Sequence, residues 1–122
     1  MQWRDDQPIY RQLYDRMITL ILRGQLAAGD ALPSVRQVSA DFKINHLTVA
    51  KAYQGLVEEG LVEKRRGMGM YVLSGAREAL MTREREQFMQ SLPALVERSA
   101  SVGVDVETLV QALRQLNKGE SK

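Results

Sequence analysis

The chain has 122 residues, a formal net charge of +2 and no cysteine. That is long enough for one compact domain plus an appendage, with no disulfide framework or thiolate zinc site to support it. No apolar run approaches the roughly 20 residues needed to span a bilayer. The opening MQWRDDQPIY has no apolar segment behind a basic end, so no signal peptide is expected and the expected location is cytoplasmic.

The small net charge hides an uneven distribution. Residues 1–75 hold ten Lys/Arg against eight Asp/Glu, whereas residues 76–122 hold seven of each. The densest cationic cluster is Lys64, Arg65 and Arg66, a local patch on a chain that is not basic overall.

The first predicted element starts at Pro8, a residue suited to the first helical position because its missing N–H would be unpaired there. Ile9, Leu13, Met17, Leu20 and Ile21 then recur at helical spacing, and Gly24 is a stop. In LAAGDALP a turn precedes a very short extended piece, since Pro33 turns its predecessor away from helix. Ser34 and Gln37 have the spacing of a capping box, opening a second helix over 34–42 with Val35, Val38 and Phe42 as its apolar stripe. After KIN, Asn45 caps a third helix over about 46–59. Val49, Ala52, Tyr53, Leu56 and Val57 share one face of it, while Leu47, Lys51, Gln54 and Glu58 point away and Thr48 lies on the flank. Gly60 ends it. LVEK and MYVL then read as strands joined by RRGMG, a hairpin.

From Ala76 onward the sequence favours helix and alternates in charge sign. Phe88, Leu92, Leu95 and Val96 fall on one side. Pro93 is expected to kink or restart the helix, with Ser91 as a new cap. Asp105 caps a last helix carrying Val106, Leu109, Val110, Leu113 and Leu116, and residues 118–122 read as a disordered polar tail. No internal repeat or low-complexity tract is evident. The fold class expected is mostly α with a small β-hairpin wing: a winged helix-turn-helix domain over 1–75, then a helical dimerisation segment over 76–117.

A helix-turn-helix sets the start of its second helix against base edges in the major groove. That start offers Asn45, His46, Leu47, Thr48 and Lys51. Asn and His can hydrogen-bond bases or phosphates, Thr can hold a phosphate, and Leu47 can touch a thymine methyl. The plain alternatives are a surface leucine for Leu47 and a cap alone for Asn45. Arg36 lies in the first turn of the second helix, outside its stripe; a phosphate clamp and a solvated helix charge are both open for it. A hairpin directly after a recognition helix is a wing, so Arg65, Arg66 and Gly67 would reach the backbone or a narrow minor groove, with Lys64 set back along the strand.

The stretch LPSVRQVSADFKINHLTVAKAYQGLVEEGLVEKRRGMGMYV resembles the winged helix-turn-helix of the GntR family of bacterial transcription regulators. The preceding PIYRQLYDRMITLILRGQLAAGDALPSVR is similar to that family's first helix and its Leu-Pro-Ser-x-Arg motif. TVAKAYQGLVEEGLVEKRRGMGMYV is particularly similar to the YtrA-like subfamily, whose members carry a short two-helix C-terminal segment; residues 76–117 resemble that segment only in length and helical character. The resemblance implies a cytoplasmic homodimer that binds an inverted-repeat DNA operator, usually as a repressor. It implies DNA contact by Arg36, by the helix start Asn45, His46, Leu47 and Thr48, and by the wing tip Arg66 and Gly67. Three positions depart from the pattern. Lys43 stands where the bend usually has glycine, so a distorted or strained turn is expected. NHLT replaces commoner recognition sequences, which bears on base preference. Met70 replaces a usual threonine, so one phosphate contact is expected to be missing.

Other function classes are weakly supported. His46 is the only histidine, and no nucleophile–base–acid set can be built around it. Gly67-Met68-Gly69 lacks the third glycine and following helix of a dinucleotide fingerprint, and there is no P-loop. No enzyme, cofactor, metal or membrane partner is therefore expected. A dedicated small-molecule effector site is also not expected, because the C-terminal helices suit a dimer interface better than a pocket, with Trp3 and Met81 as further candidates for that interface. The alternative reading is a winged helix that binds protein without specific DNA binding.

Overall fold

A computed structural model describes residues 3–120. In chain order they form α1 (Ile9–Leu22), α2 (Val35–Phe42), α3 (His46–Glu58), a hairpin of β1 (Val62–Arg65) and β2 (Gly69–Val72), then α4 (Ala76–Gln90), α5 (Leu92–Ser101) and α6 (Val106–Glu120). This is the mostly helical, hairpin-winged architecture expected. The chain divides into two compact units, residues 1–82 and 83–122, and the division falls within α4.

In the first unit the apolar faces of α1 and α3 meet. Leu13, Met17 and Ile21 from α1 are buried with Val49, Ala52, Tyr53 and Leu56 from α3, each fully buried aliphatic side chain contributing about 1.5–3 kcal/mol. The two helices come close at Gly55, where an added Cβ would lie 3.2 Å from the Tyr14 ring. Val38 of α2, Ile44 of the bend, and Val62 and Val72 at the hairpin base complete this core, together with Ala76 and Leu80 of α4. Trp3 packs edge-on against Phe42, with ring centroids 6.3 Å apart, and so lies against the first unit's own core. Pro8 is the residue before α1 and not its first helical residue: its ψ of 147° is extended, and its carbonyl already accepts from the amides of Arg11 and Gln12.

The extended piece before Pro33 finds a partner that its sequence does not reveal. Ala31 bridges Tyr71. Val72 N–H donates to Asp30 O and Leu32 N–H to Met70 O, both at 2.9 Å. β2 is thus paired on both edges, with β1 in the register Val62↔Val72, Glu63↔Tyr71, Lys64↔Met70 and Arg65↔Gly69.

The bend between α2 and α3 is a Schellman closure, in which the amide two places past the helix reaches back to a carbonyl five residues earlier. Ile44 N–H donates to Ser39 O at 3.1 Å, and the Ser39 hydroxyl donates to Ile44 O. The left-handed residue this closure requires is Lys43, with φ 54°. The turn therefore keeps its geometry, and lysine bears the steric cost of about 1–2 kcal/mol. SASVGVD at 99–105 folds the same way: Val104 N–H donates to Ser99 O, the Ser99 hydroxyl to Val104 O, and Gly103 takes φ 79°. That corner carries glycine where the first carries lysine.

The second unit contains the end of α4, α5 and α6. α5 restarts at Leu92 with Pro93 in its first turn, as expected. Ser91, however, does not cap it; its hydroxyl donates backwards to Phe88 O. Asp105 does cap α6, accepting from Thr108 N–H at 2.9 Å, and the Thr108 side chain and then its amide hold that carboxyl below its ordinary pKa. α6 runs on through residues 118–120, where the polar composition predicts a disordered tail. Lys118 in its last turn suits the negative end of the helix dipole; residues 121 and 122 lie outside the described residues. None of the described side chains of 83–119 is buried.

Tyr53 is 1% exposed, and its hydroxyl donates to Pro33 O at 2.7 Å. Burial pushes that hydroxyl's pKa up to about 12, above the ordinary value of about 10. The neutral form is thus favoured by folding, so its stabilisation is complete below pH ~10 and is lost as pH rises from ~10 through ~12. Tyr53→Phe is expected to lower the unfolding free energy at pH 7 by about 1 kcal/mol and to show a smaller loss across that alkaline window, measured by urea unfolding. Lys43→Gly is expected to raise the unfolding free energy by about 0.5–1 kcal/mol, the relief of the left-handed lysine less the added freedom of the unfolded chain.

Candidate nucleic-acid interface

The helix-turn-helix presents α3 by its first turn. Asn45 Oδ1 accepts from Leu47 N–H at 2.8 Å, which starts the helix at His46, and Asn45 is exposed. Leu47 is 68% exposed, and Thr48 is half-buried on the flank. α2 is opened by Ser34, whose hydroxyl oxygen accepts from Gln37 N–H at 3.0 Å; this is the serine half of the anticipated box. It places Arg36 on the exposed first turn. Arg36 and His46 line the same open depression of about 550 Å³ with Val35, Ser39 and Ala40. Two candidates from different helices are thereby brought onto one surface.

The wing tip is a tight turn in which Met68 N–H donates to Arg65 O at 2.9 Å. Gly67, at φ 75°, takes the third position, where a positive φ excludes most side chains. Arg66 and Gly67 are exposed at the tip.

Two of the predicted cations are held by neighbours. Lys51 is exposed, but its Nζ lies 3.9 Å from the centre of the Tyr10 ring on α1. Arg65 is clamped on the outer face of the hairpin: its Nε is 2.9 Å from Glu63 Oε1, and its guanidinium lies 4.1 Å from the Tyr71 ring centre. A cation over an aromatic face gains about 0.5–1 kcal/mol at an exposed site.

Two residues outside the candidate set share the surface. Gln54 on α3 and Lys64 on β1 line a groove of about 380 Å³ between the recognition helix and the wing. The signal for Gln54 was its place on the free face of the helix wheel. For Lys64 it was strand alternation, since Val62 is buried inward and residues two apart share a face. Among the described residues no cluster of three or more His, Cys, Asp or Glu could hold a metal ion, and no helix is long and apolar enough to cross a membrane.

Residues 9–72 match the family described as bacterial regulatory proteins, gntR family. Over 93% of the chain the sequence is 33% identical to the HTH-type transcriptional repressor YtrA of Bacillus subtilis (strain 168), covering 88% of that protein. A transcriptional regulator from Oenococcus oeni has a similar structure, with TM-score 0.80 and 28% identity over 95% of this chain and 96% of that one. The structure of AraR(DBD) in complex with operator ORX1 aligns with 54% of this chain and 80% of its own, at TM-score 0.52 and 26% identity.

Proposed function

The chain belongs to the gntR family of bacterial regulatory proteins, and on that premise we propose that it is a sequence-specific, DNA-binding transcriptional regulator that represses by occupying an inverted-repeat operator as a homodimer. The observation that carries this reading is the surface on which Arg36, the exposed start of α3 and the wing tip all stand without burial. A helix of this kind enters the major groove by its first turn while a wing reaches the neighbouring backbone or minor groove. The similarity to a solved operator complex supports the same docking.

Within this proposal His46 and Leu47 meet base edges, and the exposed Asn45 joins them. Arg36 and Thr48 set the register on phosphates. Arg66 and the backbone of Gly67 anchor the wing. Lys51 and Arg65, each seated on a tyrosine ring, add positive potential to the surface. No catalytic step is assigned to any of these groups.

The homodimer rests on the second unit. Phe88, Leu95, Val96, Val106, Leu113 and Leu116 are all exposed there, and an unburied apolar set of that size is characteristic of a surface awaiting a partner. A second copy supplies a matching face and sets two recognition helices about 34 Å apart, one helical turn of DNA. The sequence sets the boundary at residue 75; the division falls later, between residues 82 and 83, because Ala76 and Leu80 of α4 are buried with the first unit's core.

Duplexes enriched from random DNA by the purified chain provide the direct test. Binding is expected to weaken log-linearly with salt as counterions are released. Arg66→Ala should weaken all sequences alike and lower the salt slope by about one unit, whereas His46→Ala should re-rank the enriched sequences. A salt-independent response, or no preference for duplex DNA, would favour the protein-binding alternative. The paired substitution Leu113→Asp and Leu116→Asp should convert a sedimenting dimer to monomer; a variant that still sediments as a dimer would remove α6 from the interface.

A further inference from the structure

The groove between α3 and the wing has an apolar wall, one cation and no carboxylate among its lining residues. Met68 and Met70 of the wing line it together with Val35 and Tyr53, with Lys64, Gln54 and Ser34 as polar side chains. Lys64 is there because of the strand period. Val62 and Val72 pair at the base of the hairpin and point into the core, and the next pair on that face, Lys64↔Met70, continues it to the core's edge, where Met70 is partly buried. Arg65 belongs to the opposite face, where Glu63 and Tyr71 hold it.

A role for this groove rests on the docking proposed above, which imposes a geometric requirement. A recognition helix in the major groove and a wing over the adjacent minor groove are separated by the one DNA strand whose backbone divides those grooves. That backbone has to pass between α3 and the hairpin.

We propose that the groove between α3 and the wing seats this sugar–phosphate strand, with Lys64 as its phosphate contact and Met68 and Met70 packed on its sugars. The chemistry matches on both counts. A deoxyribose–phosphate strand alternates apolar sugar faces with anionic phosphates, and the groove alternates thioether side chains with an ammonium group. Methionine suits the sugars because its unbranched, polarisable side chain adapts to an irregular surface. Gln54, one turn beyond Ala50 on the same wall, is placed to donate its amide to the same phosphate. The threonine that family resemblance led one to expect at position 70 is thus replaced in function by the lysine paired with it across the strands.

The decisive comparison is between neighbouring cations of the wing in the full-length chain. On a duplex enriched by the wild-type protein, Lys64→Gln should weaken binding about tenfold and lower the salt slope by about one unit. Lys64→Arg should retain the wild-type slope, and Arg65→Gln should lower it by less than Lys64→Gln does. Neutral methylphosphonate substituted one position at a time along the strand should cost wild type about tenfold at the contacted phosphate and cost Lys64→Gln nothing further there. A merely structural lysine would not produce that masking. If Arg65→Gln lowers the slope and Lys64→Gln does not, the groove assignment is wrong while DNA binding stands. If the wild-type chain itself shows no salt-dependent duplex binding, the regulator reading fails and the groove with it.

Discussion

The candidate nucleic-acid interface depends on one hydrogen bond made by a buried side chain, from the Tyr53 hydroxyl to Pro33 O. Tyr53 is on the recognition helix, and Pro33 sits between the segment that pairs with β2 and the cap of α2. The bond therefore ties together α3, the helix before it and the strand edge beside it. The ring is buried and the bond at its tip is partly buried, and lowered access of water strengthens such a bond. The same ring forms part of the wall between α3 and the wing, so the side chain that anchors α3 to the segment at Pro33 also borders the wing.

Charge on this surface is sorted by what lies beneath it. The wing carries three consecutive cations, but strand alternation sends Arg65 outward onto Glu63 and Tyr71 and Lys64 inward along the line of Val62. Arg66 escapes both because it sits on the turn. Lys51 is drawn to Tyr10 in a similar way. A cation resting on an aromatic ring keeps its charge and loses part of its freedom.

Much of the fold was legible from local chemistry. Ser34 and Asn45 accept from the amides two or three residues ahead, and caps of this kind depend only on neighbours in sequence. The core face of α3 follows from its 3.6-residue period. The errors were equally local in origin. Ser91 had a cap's residue type but uses its hydroxyl on the preceding turn. At Lys43 the strained alternative holds and the distorted one does not, because the bend is closed by Ser39 and Ile44 and an unfavourable residue is carried without changing the turn. Of the candidate site, the exposed start of α3 and the wing tip could be read from pattern. The diversion of Lys51 and Arg65 and the inward placement of Lys64 could not be read so simply, because each depends on an element distant in sequence or on strand pairing.

The sequence by itself determined the order and type of the elements, the caps that start α2 and α3, and the residue types offered at the recognition helix, since all of these arise from interactions within a turn or two of the chain. Tertiary structure alone decided that the piece around Ala31 would pair with β2, and that the groove would lie between Tyr53 and the two methionines. It also decided which cations would face outward. Those outcomes depend on where a helix axis and a strand face come to rest against each other, a matter of packing over distances that no local period encodes.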